Sequence, residues 1–94
     1  MFIQGNLQAL FDALYEIGAI DPVLKMDWSV INEEMSHNQN KKIVMQAFRM
    51  INACEGDREL MIQKLKFMDE KSLNFLAMEV AREFAEFQDR KELH

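Results

Sequence analysis

Proline is almost absent from this chain of 94 residues: there is one, beside three glycines. Sheets joined by tight turns draw heavily on both, so a turn-rich β fold is excluded. A single cysteine, Cys54, rules out an internal disulfide and fits a reducing compartment. The longest uninterrupted apolar run covers residues 75–78, far short of the about 20 residues a membrane-spanning helix needs. No basic segment precedes an apolar stretch near the start, so no secretory signal is expected and the expected location is cytoplasmic. With only two histidines, the residues for hydrolysis, redox chemistry or group transfer do not assemble into any known pattern, and the chain is expected not to be an enzyme.

What is present favours helix. Apolar residues make up 49% and charged residues 29%, a globular balance, with eight methionines and seven phenylalanines among abundant leucine, alanine, glutamate and lysine. The expectation is an all-α fold: residues 1–94 as one compact domain of four to five helices, bundle-like or orthogonal. A chain this short buries only about 60% of its unfolded surface, and self-association is a common remedy.

Charge is acidic overall and unevenly spread. Sixteen acids against eleven bases give −5. Residues 1–36 hold six acids and one base, residues 37–54 hold Lys41, Lys42 and Arg49 with no acid, and residues 55–94 hold ten acids and seven bases. Binding to nucleic acid rests largely on releasing counterions with lysine and arginine, so a nucleic-acid partner is not expected. A basic protein surface is the partner the overall charge would favour.

Periodicity places the helices. Leu7, Leu10, Phe11, Leu14, Tyr15 and Ile17 share a face of the first, with Asn6 as a candidate N-cap and Gly18 closing it. Residues 22–36 read as a second helix behind Asp21-Pro22, although Asp27 offers a competing start from Trp28. The polar cluster at 36–40 reads as a loop. A third helix spans about 40–54. A short fourth spans 58–68 behind Asp57, and a last one spans 71–90 behind Asp69 or Ser72. On the last helix Leu73, Leu76, Ala77, Val80, Phe84 and Phe87 form the stripe, and Glu79, Arg82, Glu83 and Glu86 the solvated side.

The second helix supplies the functional signal. Leu24, Trp28, Ile31 and Met35 draw one apolar stripe, with Trp28 read as core, and Val23, Met26 and Val30 draw another on the opposite side. A helix apolar on two sides is either sandwiched between neighbours or open to a partner. Met45, Phe75 and Met78 likewise fall off their stripes. Methionine-rich exposed surfaces adapt to varied partners, whereas the plain alternative is a core that uses both faces. Val23, Met26, Val30, Met45, Phe75 and Met78 are the expected protein-binding residues.

Other constellations are weaker. Glu34-x-x-His37 has the spacing of a di-iron ligand pair, but the required second copy is missing; His94 is the only other histidine. Cys54 lies on the apolar arc of its helix, where free cysteine acts as a small hydrophobe. Lys41 and Lys42 near a helix start oppose its dipole slightly. No cofactor and no metal are expected. The expected function is a small protein-binding module, an adaptor, regulatory subunit or chaperone-like protein, engaging another protein or its own copy. The runner-up is a signalling or transcription-control domain, phosphotransfer through His37 or a helix-turn-helix.

Overall fold

The element that departs most from the pattern is the segment 22–36, which is two helices and not one. Its chain breaks at Asp27, which adopts an extended conformation (φ −68°, ψ 133°), and its carboxylate accepts hydrogen bonds from both the backbone N–H and the hydroxyl of Ser29, each at 3.0 Å. An aspartate N-cap satisfies donors that a continuous helix would have satisfied with backbone carbonyls, so the local bond wins over the stripe.

The computed structural model describes residues 4–92, with side chains described from 7 to 86. Those residues form six helices: α1 (Gln4–Glu16), α2 (Asp21–Leu24), α3 (Trp28–Ser36), α4 (Asn38–Asn52), α5 (Arg58–Phe67) and α6 (Glu70–Glu92). The all-α class holds, with no strand among the described residues. The count exceeds the expected four to five because of the break at Asp27.

The joints follow from local chemistry. Gly18 (φ 78°) ends α1, with Ala19 N–H donating to the Leu14 carbonyl at 2.9 Å and Gly18 N–H to Tyr15 at 3.0 Å. This is the glycine-terminated closure expected of a helix end. Asn6 does not cap α1, because the helix starts two residues before it. The loop expected at 36–40 shrinks to His37 alone (φ −77°, ψ 130°), which separates α3 from α4. Asn40 makes so short a joint workable: its side-chain amide donates to the Glu34 carbonyl at 2.8 Å and to the Glu34 carboxylate at 3.2 Å. Asp57 caps α5 through Leu60 N–H (3.2 Å), and Asp69 caps α6 through Ser72 N–H (3.1 Å). Between α4 and α5 the chain turns through two successive left-handed residues, Glu55 (φ 51°) and Gly56 (φ 82°).

Helix α6 lies at the centre. It packs against α1, α2, α3 and α4, while α5 packs on α1 and α4. Residues 76–81 are six successive buried positions, so this part of α6 is covered on every side. A helix apolar around its circumference is a buried one. Leu76 and Val80 meet Leu10, Leu14, Ile20, Ile31, Met35 and Ile51 in one core. At its edge the rings of Phe11 and Phe84 stack with centroids 4.5 Å apart and an angle of 21°. Arg58 on α5 and Glu16 on α1 form an exposed ion pair at 3.2 Å. The radius of gyration, 12.6 Å, matches about 12 Å for a compact chain of this length. Among the described residues no helix is long and apolar enough to cross a membrane.

Candidate functional site

Helix α4 carries three unlike surfaces. Val44, Ala47, Phe48 and Ile51 are buried in the core. The opposite crest, with Lys42, Gln46 and Arg49 at i, i+4 and i+7, is exposed. Between crest and core lies a row of Lys41, Met45 and Phe48, again at i, i+4 and i+7, and this row faces α6. It forms one wall of a half-open groove of about 370 Å³ lined by Lys41, Val44, Met45, Phe48, Glu79 and Arg82. Its volume is within the range of about 300–1,000 Å³ common to ligand clefts. Met45 stands over it with 40% of its surface exposed.

The α6 wall is polar and tightly held. Glu79 is 8% exposed and accepts two hydrogen bonds from Nη2 of Arg82, at 2.8 and 3.0 Å. That contact raises the arginine above its ordinary value, so the guanidinium keeps its charge. The neighbouring Glu83 is half-buried, and burial, followed by the charge of Glu79, pushes its carboxyl up. Among the described residues Nε of Arg82 and Oε2 of Glu83 are buried atoms with no hydrogen-bond partner. The expected solvated side of α6 is therefore corrected: Glu79, Arg82 and Glu83 are packed against α6's neighbours, and Glu86 is exposed. The i, i+3 spacing of Glu79 and Arg82, flanked by Phe75 and Met78, is the signal in the sequence that this side is covered.

The six residues expected to bind a partner separate into three groups. Val23 (2% exposed) and Met78 (8%) belong to the core and are not presented at the surface. Val23 sits on α2, whose separation from α3 dissolves the two-sided helix it was read from. Met78 lies on the fully enclosed part of α6. Met26 and Phe75 are partly buried and packed against the core. Val30 and Met45 are exposed, and Met45 is the one of the six that lines the groove. Trp28, expected in the core, is 45% exposed, and Leu24 and Tyr15 on the expected stripes are exposed as well. Phe67, which no pattern singled out, is 92% exposed at the end of α5.

The remaining candidates resolve simply. Cys54 is buried, its thiol 3.5 Å from the Met50 carbonyl, and burial pushes it above its ordinary value, which opposes thiolate chemistry. His37 is exposed at the α3–α4 joint, while the Glu34 carboxylate is engaged by Asn40. Among the described residues no three of His, Cys, Asp and Glu gather into a group that could hold a metal ion. Compared with protein-family models, curated proteins and solved structures, the chain matches none.

Proposed function

We propose that the protein is a small protein-binding module, an adaptor, regulatory subunit or chaperone-like protein of a reducing compartment, and that the α4–α6 groove is its principal contact. The observation that carries this reading is Met45: a large, flexible apolar side chain left 40% exposed above an apolar floor of Val44 and Phe48. Such a side chain adapts its shape to what it covers, and a groove with a few placed charges beside it selects orientation. The exposed Trp28, Val30 and Phe67 add anchors elsewhere on the surface, residues of the kind that dominate contact energies when covered.

A photoreactive amino acid placed at position 45 tests this in living cells. A protein contact yields a discrete cross-linked band, either at the mass of a second copy or at that of a different protein. The same probe at the exposed Gln63 gives none. Equal labelling at both positions, or at neither, removes the groove as the contact.

A further inference from the structure

The net charge of the chain points to a basic partner, but the groove's own margin points the other way. Residues 37–54 carry three cations and no acid. Within the described residues Lys41, Lys42 and Arg49 make no ion pair. Among the described residues the one carboxylate lining the groove, Glu79, is buried and already holds Arg82 through both oxygens, so it has little to offer an incoming cation. The start of α4 strengthens this local sign. The helices α3, α5 and α6 each begin behind an aspartate whose carboxylate accepts a backbone N–H. Helix α4 begins behind His37, which supplies no such bond, and its first turn holds no acid. The positive end of its dipole and the adjacent lysine pair therefore add rather than cancel.

We infer, resting on the reading of the groove as a protein contact, that its occupant is an acidic amphipathic helix, with an apolar side chain seated against Met45, Val44 and Phe48 and carboxylates meeting Lys41, Lys42 and Arg49. The two rows of α4 set the pattern on that partner. Lys42 and Arg49 are seven residues apart, about 10.5 Å along the helix axis. A partner helix lying alongside meets them with carboxylates spaced i, i+7, and its apolar row is displaced toward α6. The acidic segments before and after α4 repel such a partner at long range. At physiological ionic strength the screening length is about 8 Å, so the contact is decided by charges within the groove's margin.

Two fluorescein-labelled synthetic helices test the inference by anisotropy titration at about 0.15 M salt. Both carry the same leucine row; one flanks it with glutamate at i, i+7 and the other with lysine. The expected result is saturable binding of the glutamate peptide, at least about tenfold tighter than the lysine peptide. Charge reversal by Lys41→Glu, Lys42→Glu and Arg49→Glu inverts that order, and Met45→Asp weakens both peptides. All four positions are exposed, and circular dichroism checks that helicity is kept. Equal or tighter binding of the lysine peptide to the unaltered protein overturns the acidic partner, while the groove stands if Met45→Asp still weakens binding. Binding of neither peptide, or no effect of Met45→Asp, overturns both. Displacement of the glutamate peptide by a single-stranded oligonucleotide that binds more tightly assigns the crest to nucleic acid and overturns the inference.

Discussion

Nη2 of Arg82 lies 2.8 Å from one carboxylate oxygen of Glu79 and 3.0 Å from the other, one turn away on the same helix. The glutamate side chain is 10% exposed and the arginine 36%. The two charges are thus held at unequal depth: the acid is enclosed, and the base reaches from the groove's edge to neutralise it. Removing the base strands a buried carboxylate, whereas removing both replaces an ion pair by apolar contact. Arg82→Met is expected to lower stability by about 2 kcal/mol, the partial exposure of the arginine holding the loss below that of a fully buried pair. Glu79→Leu combined with Arg82→Met is expected to recover most of it. Urea denaturation of both variants checks the order, and a double variant weaker than the single one contradicts this account of the pair.

Core and surface assignments on the apolar residues give opposite expectations for similar changes. Met78→Ala removes a buried side chain from the enclosed part of α6 and is expected to cost about 2–5 kcal/mol. Val30→Ala and Met45→Ala, at exposed positions, are expected to change stability by no more than about 0.5 kcal/mol. Melting temperatures of the three variants settle this, and a stable Met78→Ala protein returns Met78 to the surface.

The turn between α4 and α5 holds a non-glycine residue in a left-handed conformation. Glu55 lacks the freedom that Gly56 has, and the left-handed region costs an ordinary L residue about 1–2 kcal/mol. Glu55→Gly relieves that strain, although added freedom in the unfolded chain offsets part of the gain, so a net gain of up to about 1 kcal/mol is expected. Gly56→Ala is expected to lose a similar amount, although nothing lies within 4 Å of the added Cβ. Thermal denaturation distinguishes the two directions.

Acid and base reach the fold through different carboxyls. Burial raises Glu83 above its usual 4.5. A raised folded-state value means that its contribution is fully present below 4.5 and is lost as pH rises through the folded value. Glu83→Gln is therefore expected to stabilise the protein slightly at neutral pH, with the difference vanishing in acid. Asp27 and Asp69 sit below their usual 3.8 because they accept hydrogen bonds from Ser29 and Ser72. Their contribution is present above 3.8 and disappears as pH falls through the lowered values. Asp69→Asn is expected to flatten the acid side of the melting-temperature profile, which a pH series on the three proteins measures.

Much of the fold was legible because its boundaries are written in single residues. Gly18, Asp57 and Asp69 act where their types suggest. Asp27 carried the decisive signal, but the stripe of Leu24, Trp28, Ile31 and Met35 outweighed it in a reading by periodicity. The first half of that stripe fails for one reason: a stripe is a face only while the helix continues, so Leu24 and Trp28 emerge at a corner, while Ile31 and Met35 on α3 stay buried. The site was half legible. Met45 was found because it departs from its arc. Val23 and Met78 were misplaced because the number of neighbours around a helix is a tertiary fact that no local pattern encodes. Glu79 and Arg82 looked solvated because charge usually is.

The enclosure of residues 76–81 also has a consequence in time. Helices α1 to α4 each bury a face against α6, which is the last of the six to be synthesised. At about 5–20 residues per second, several seconds separate the completion of α1 from the arrival of the segment that covers it. Until then Leu10, Leu14, Ile31 and Ile51 lack their common wall, so a nascent chain not yet extended through residues 76–81 is the form of this protein most exposed to proteases and to aggregation.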